Sequence, residues 1–152
     1  MNIQIKAYKN NKDIADNEAV VALLEKQMDF ISSGQKQSSV ASSLNNAIKD
    51  ESRSVLWVAY QEEKAIGFAF GNVCCGLESG GDYLWLNEIY VEKEVRMQNV
   101  GSLLIEAVQT WAKQSNCTYL AMITHPQNVG AQHLFKKAGF ELESLVWVDK
   151  SL

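Results

Sequence analysis

The sequence predicts one α/β domain, a mixed sheet with helices on both sides, in the order β-α-α-β-β-β-α-β-α-β. Three observations carry that prediction. Two strongly apolar segments, residues 55–60 and 65–70, are separated only by Gln61-Glu62-Glu63-Lys64, a link short enough to require an antiparallel hairpin. A second pair of apolar segments, residues 84–91 and 119–124, brackets a stretch in which Leu104, Ala107, Val108 and Trp111 recur at i, i+3, i+4, i+7. A helical crossover makes its two flanking strands parallel. Ahead of the hairpin, two amphipathic helical patterns follow one another with no strand between them.

Taken in order, residues 2–8 alternate Ile3, Ile5 and Ala7 with polar neighbours, the period of a half-buried strand. A polar, Asn-rich link follows. From about Ile14 to Ile31, the residues Val20, Val21, Leu24, Met28 and Ile31 recur at helical spacing, and Ser32-Ser33-Gly34 supplies the stop. A second, more polar helix runs from about Ser38 to Lys49, with Val40, Ala41, Leu44, Ala47 and Ile48 on one side. The second hairpin strand can extend through Val73 to Cys75, and residues 76–81 read as a flexible loop. The strand at 84–91 leads through a charged link, residues 92–95, into residues 96–102 and then directly into the central helix. His125-Pro126 ends the strand at 119–124, and Asn128 starts a last helix with Ala131, Leu134, Phe135 and Ala138 on one face. Gly139 suits the left-handed position after that helix. A final strand is expected over about residues 141–148.

Composition narrows the function. A chain of 152 residues with 47% hydrophobic content suits one ordered domain. Its net charge of −4 works against nonspecific nucleic-acid binding, which needs a positive surface to displace counterions, and suits a cationic small substrate better. The opening Met1-Asn2-Ile3-Gln4-Ile5-Lys6 has no apolar run of signal-peptide length, and no stretch reaches the ~18 apolar residues of a membrane span, so a cytoplasmic protein without membrane contact is expected. Cys74, Cys75 and Cys117 are odd in number and two are adjacent, so they read as packing residues of a reduced protein. No Cys-x-x-Cys or His-x-x-x-His spacing occurs, and no metal site is expected. His133 reads as a surface residue, His125 as a loop residue, and Trp57, Trp85, Trp111 and Trp147 as core.

The segment Arg96-Met97-Gln98-Asn99-Val100-Gly101-Ser102 has the order strand, loop, helix start, which is an anion-binding order. The first helical turn leaves N–H groups without partners, and the helix dipole adds partial positive charge there. Successive N–H groups from Met97 to Ser102 can form a nest, with Gly101 permitting close approach and the Ser102 hydroxyl adding a donor. Neither a P-loop nor an early G-x-G-x-x-G competes with it. The segment resembles the pyrophosphate loop of the GCN5-related N-acetyltransferase superfamily: Arg or Gln, two residues, Gly, one residue, Gly or Ala. Arg96, Asn99 and Gly101 fall on those positions, with Asn99 replacing the first glycine. Asn99 serves if that position needs a left-handed backbone, and obstructs if the missing Cβ is what matters. A second motif of the family, Asn, two residues, Ala, three residues, Tyr, three residues, Gly-Phe, is matched by Asn128, Ala131, Phe135, Gly139 and Phe140, with Phe135 replacing the tyrosine.

The resemblance implies acetyl-CoA as donor and acetyl transfer to a primary amine of a small molecule or protein, by direct attack in a ternary complex. It implies that Arg96, Met97, Gln98, Asn99, Val100, Gly101 and Ser102 bind the pyrophosphate region, and that Ile89, Tyr90, Val91, Asn128 and Phe135 lie against the rest of the cofactor. An N–H near Val91 suits the tetrahedral oxyanion. An amine of pKa near 10 must lose a proton to attack, and Glu88 is the acid available on this strand. The family's acid falls equally on Asn87, whose side chain takes the opposite face unless a bulge changes the parity. Glu78 and Asp82 are alternatives for drawing in a cation. Phe135 cannot protonate the departing thiolate, a task left to water or a hydroxyl such as Tyr90. The acceptor side is expected from the first helical pair, including Met28, Asp29 and Phe30, and from the loop at 76–81. Members of the family often close with two strands where twelve residues follow Phe140 here, an edge that invites a homodimer. The rival reading is a noncatalytic acyl-CoA-binding or regulatory module on the same fold, supported by Asn99 and Phe135 together.

Overall fold

A computed structural model describes residues 2–31 and 39–152 of the chain. Its elements are β1 (Ile3–Tyr8), α1 (Asn17–Ile31), α2 (Val40–Ala47), β2 (Ser54–Gln61), β3 (Lys64–Gly76), β4 (Gly81–Val91), α3 (Val100–Gln114), β5 (Leu120–Met122) and α4 (Val129–Lys137). The strands form one sheet in the order β1-β2-β3-β4-β5, antiparallel as far as β4 and parallel between β4 and β5. The helix stop at 32–34 and the second helix's start at Ser38 fall outside the described residues; α2 is capped by the Ser39 hydroxyl, which accepts from the Ser42 N–H.

β2 shows why the sheet is covered on both faces. Val55, Trp57 and Ala59 pack into one core with Leu104, Ile105 and Val108 of α3 and Phe135 of α4. Leu56, Val58 and Tyr60 point the other way, into a second core with Val20 and Leu23 of α1 and Leu44 of α2. Successive strand residues alternate faces, so a strand apolar at every position requires a helix layer on each side. Leu104 and Val108 are fully buried, and each such side chain contributes about 1.5–3 kcal/mol of transfer free energy. The β2–β3 turn places Glu62 and Glu63 at φ 48° and 71°, the left-handed pair that matches hairpin twist.

Four expectations change. Residues 141–148 form no strand: every residue from Glu141 onward is exposed, and no ladder pairs their backbone. β5 is shorter than the expected 119–124, because it parts from β4 after Met122. The loop at 76–81 contracts to a tight turn closing a long β3–β4 hairpin, where the Ser79 hydroxyl lies 2.8 Å from the Gly76 carbonyl and 2.6 Å from that of Gly81. Of the tryptophans, Trp57 is core and Trp111 packs edge-on against it at 5.7 Å, but Trp85 belongs to neither core and Trp147 is 63% exposed. Among the described residues the three cysteines are free, no helix is long and apolar enough to cross a membrane, and no cluster suited to a metal ion occurs.

Candidate active site

The segment expected to bind an anion forms the turn from β4 into α3. Arg96 folds back so that its Nε donates to the Val91 carbonyl at 2.9 Å, with its guanidinium 5.7 Å from the Tyr90 ring centre. The chain then passes through two left-handed residues, Met97 at φ 64° and Asn99 at φ 69°. Asn99 is the N-cap of α3, yet its side chain bonds to none of the first-turn N–H groups; its carbonyl accepts from Leu103 at 3.1 Å. The left-handed backbone, one of the two requirements weighed for this position, is therefore the conformation Asn99 adopts. Gly101 has a different neighbour from the one expected. A Cβ there would lie 3.2 Å from Leu134 Cδ2, so the missing side chain makes room for α4.

β4 and β5 pair at Leu84↔Leu120, Trp85↔Ala121 and Leu86↔Met122, and there the parallel ladder ends. Beyond it Asn87, Glu88, Ile89, Tyr90 and Val91 continue, and among the described residues no strand pairs with their outer edge. A backbone edge with unpaired N–H and C=O groups accepts an extended amide-bearing chain as it would a strand. Asn128 caps the start of α4, where its Oδ1 accepts from the Ala131 N–H at 3.1 Å. Phe135 is 2% exposed and packs edge-on against Phe140 at 5.5 Å, which makes it a core residue in this structure.

A bulge decides which face each side chain of β4 takes. β3 and β4 register as Phe70↔Glu88 and Gly71↔Leu86, so Asn87 is the extra residue. Leu84 and Leu86 face the α3 core; after the bulge Ile89 and Val91 face it, and Glu88 and Tyr90 take the α1–α2 face. The parity left open between Glu88 and Asn87 is thus set by the insertion. Asn72 on β3 bonds across it, its Nδ2 donating to Asn87 Oδ1 at 2.6 Å, while the Ser54 hydroxyl donates to Asn72 Oδ1 at 2.5 Å. Burial pushes the Glu88 carboxyl above the ordinary carboxylate range. Trp85 shares its face, half-buried. Lys26 of α1 pairs with the nearly buried Glu92 at 2.5 Å and ties that helix to the end of β4; its neighbour Gln27 is 6% exposed with no partner for Oε1 among the described residues.

The other acids sit elsewhere. Asp82 is paired with Arg53 at 2.9 Å, and it lies six residues before Glu88 on the same strand, about 20 Å away at strand rise. Glu78 is in the exposed turn beyond Asp82. His125 has a loop role, its Nδ1 accepting from the Gln127 N–H at 3.2 Å, and His133 is exposed. On α1 Met28 is half-buried and Asp29 exposed, while the side chain of Phe30 lies outside what is described.

The sequence profile of the Acetyltransferase (GNAT) family matches residues 20–140. The chain belongs to that family. Aminoglycoside N(6')-acetyltransferase type 1 of Serratia marcescens is 34% identical over 91 residues, 59% of this chain and 60% of that protein's length. Among solved structures, an aminoglycoside acetyltransferase from an uncultured soil metagenomic sample, in complex with sisomicin, superposes with a TM-score of 0.83 at 14% identity, covering 99% of this chain and 96% of the other. The aminoglycoside acetyltransferase AAC(6')-Iy in complex with a CoA–acetylneamine bisubstrate analogue gives 0.79 at 21%, covering all of both chains. A ribosomal-protein-alanine N-acetyltransferase from Brucella melitensis gives 0.80 at 13%, covering 99% and 100%. At these identities the structural likenesses establish the fold. As a GNAT chain, this protein has two features that motif reading passed over: the Ser54–Asn72–Asn87 chain across the bulge, and the Leu134 contact at Gly101. The first had a sequence signal, since the apolar alternation of β4 breaks between Leu86 and Ile89.

Proposed function

We propose that this chain, as one domain spanning residues 1–152, transfers an acetyl group from acetyl-CoA to a primary amine of a small polycationic acceptor of the aminoglycoside kind, in the cytoplasm. The observation that carries the reading is the bulge at Asn87, which sets the half-buried Glu88 on the α1–α2 face directly beside the end of the β4–β5 ladder. The Serratia marcescens relative and the negative net charge favour a cationic amino sugar over a protein amine.

In this reaction the uncapped first turn of α3 and the Met97–Asn99 loop bind the pyrophosphate. The open edge of β4 at Ile89, Tyr90 and Val91 pairs with the pantetheine arm, and Asn128 closes it from α4. Ionised Glu88 takes the proton from the ammonium, directly or through one water, so that the neutral amine attacks the thioester carbon. The carbonyl becomes an oxyanion facing the backbone N–H groups near Val91, and the C–S bond then breaks. The nitrogen, cationic after attack, releases its second proton, which water or the Tyr90 hydroxyl relays to the thiolate, since Phe135 carries no donor. A thiol of pKa about 8.5 leaves readily without a strong acid.

Calorimetric titration with acetyl-CoA, free CoA and ATP, followed by thiol release with neamine-type aminoglycosides and an N-terminal alanine peptide, tests this. Micromolar acetyl-CoA binding and thiol release with the aminoglycoside are expected. Binding without release from any amine supports the second reading, a noncatalytic acyl-CoA-binding module, which the burial of Phe135 favours. No binding at millimolar acetyl-CoA overturns both.

A further inference from the structure

The face of the sheet that carries Glu88 is covered along only part of its length. The core beneath α1 and α2 reaches Phe70 on β3 and Tyr90 on β4, and it takes in nothing nearer the β3–β4 turn and nothing from β5. The uncovered part is aromatic. Leu84 and Leu86 turn toward the α3 core, so Tyr83 and Trp85 point to the opposite face. Leu120 and Met122 of β5 also turn toward α3, which sends Tyr119, Ala121 and Ile123 the same way as Trp85. Tyr83 stacks on Tyr119 with ring centres 4.8 Å apart and planes 5° from parallel. Trp85 lies next along β4, half-buried between its partners Asn72 on β3 and Ala121 on β5, neither of them large enough to cover an indole. Tyr119 is 48% exposed. Aromatic area left open in a contiguous patch marks a binding surface more often than a lone exposed ring does.

Position and charge say what the patch suits. Trp85 precedes Glu88 by three residues, one of them the bulged Asn87, which is about 7–10 Å along the strand, and Tyr83 is about 7 Å further. That second step is the scale of one sugar ring. Among the described side chains of β3 and β4 that face this way between Glu88 and the β3–β4 turn, Glu88 is the one charged group, and no lysine or arginine accompanies it. Asp82 has the parity of Leu84 and is occupied by Arg53. The face of an aromatic ring attracts a cation, tryptophan most strongly, and the same ring offers apolar area to the C–H face of a sugar. A ring bearing ammonium groups uses both properties, whereas a linear polyamine has no flat face to stack.

We propose that Trp85, with the Tyr83–Tyr119 stack beyond it, forms a second subsite that holds a non-reacting amino-sugar ring of a multi-ring acceptor while an amine of another ring reaches Glu88. This rests on the aminoglycoside-type reading and adds the direction in which the acceptor lies, along β4 toward its start. Donor and acceptor then approach Glu88 from opposite ends of one strand, the donor along Ile89–Val91 and the acceptor along Tyr83–Trp85. Contacts to the remote ring fix the reacting amine, so a single-ring amine forfeits them.

The test follows the Trp85 indole N–H in proton–nitrogen spectra of the CoA-mixed protein, its signal assigned by its loss in Trp85→Phe. The titrants are neamine, with two rings, and glucosamine, with one. Neamine should move that signal and bind at least about tenfold more tightly than glucosamine. Trp85→Ala should bring the two amines within about threefold of each other, while Trp85→Phe keeps most of the preference because a ring remains. Circular dichroism checks the fold, and Tyr119→Ala, at an exposed position outside both cores, carries the comparison if Trp85→Ala does not fold; it should cut the preference about threefold. An unmoved indole signal at millimolar neamine overturns the proposal, as do equal losses of both amines in the variant that folds. Thiol release from acetyl-CoA separates the two readings. A moved indole and a neamine preference without thiol release leave the subsite standing and overturn acetyl transfer; thiol release from neamine with an unmoved indole overturns the subsite alone.

Discussion

Asn99 separates two accounts of the loop at residues 96–102 that a single substitution series can tell apart. The residue sits at φ 69°, ψ 8°, and its side chain makes no capping bond, so replacing it removes no hydrogen bond to the first turn of α3. What changes is the backbone term. A left-handed conformation costs an ordinary L-residue about 1–2 kcal/mol, and Asn less. Asn99→Val, β-branched and ill suited to φ > 0, should lose about 1–2 kcal/mol and lower Tm by roughly 3–6 °C for a chain of this length. Because 1.4 kcal/mol is tenfold in an equilibrium, the same strain should weaken acetyl-CoA binding about tenfold. Asn99→Gly relieves the strain but gains unfolded-state entropy, so its stability should stay within about 1 kcal/mol of the wild type and its acetyl-CoA affinity within about threefold. Scanning calorimetry and acetyl-CoA titration on the three proteins read both quantities. If the glycine variant binds tenfold more tightly, the Cβ is the obstacle. If the valine variant melts and binds like the wild type, the left-handed backbone at 99 is not what shapes the loop.

Glu88→Gln should lower kcat/KM by about 10²–10⁴-fold and abolish an ascending pH limb that lies above the ordinary carboxylate range, since burial raises the Glu88 carboxyl and only its ionised form accepts a proton. Stability carries the opposite sign: a raised carboxyl binds its proton more readily folded than unfolded, so ionised Glu88 costs stability from its unfolded pKa upward, and the Gln variant should melt higher than wild type at neutral pH but not in acid. Gly101→Ala pushes a Cβ to 3.2 Å from Leu134 Cδ2. A urea double-mutant cycle with Leu134→Ala should return a coupling of about 0.5–1.5 kcal/mol, and additivity would mean the contact is idle. Asn72→Ala removes the bond across the bulge and should cost about tenfold in kcat/KM with KM for acetyl-CoA unchanged; an equal rise in that KM would place Asn72 on the donor side instead.

The legible parts of the chain were those that local chemistry decides. Val55 through Tyr60 had to be a two-sided strand, and the four-residue link after it had to be a tight hairpin. Asn128 had to cap a helix, and it does. Residues 141–148 read as a strand for the same local reasons, but a strand exists only through its ladder, and the ladder partner is not local. Trp147 failed as a core residue on that account, and Trp85 because the helices covering its face pack elsewhere. The conformation of Asn99 was undecidable from residue type, since Asn tolerates both the left-handed and ordinary regions. The side chain at Glu88 was decidable in principle: Leu84 and Leu86 keep one parity, Ile89 and Val91 the other, and only an inserted residue reconciles them.

That insertion divides labour within one strand. After Leu86 the outer edge of β4 is free of β5, so its amides are available to an extended ligand, and the contact depends on backbone alone. The side chains of the same five residues are committed otherwise: Asn87 bonds to Asn72, Ile89 and Val91 pack toward the α3 core, and Glu88 and Tyr90 face α1 and α2. Under the proposed reaction the donor is therefore held by groups that substitution barely alters, and the acceptor by side chains that substitution alters freely. Conservative changes at Ile89 and Val91 should register as stability losses of the size of a core methylene, about 0.5–1.5 kcal/mol for Ile89→Val, with acetyl-CoA affinity unchanged. A loss of affinity out of proportion to the loss of stability would mean that the ligand reads side chains on this strand, and the backbone-edge account of the cleft would fail.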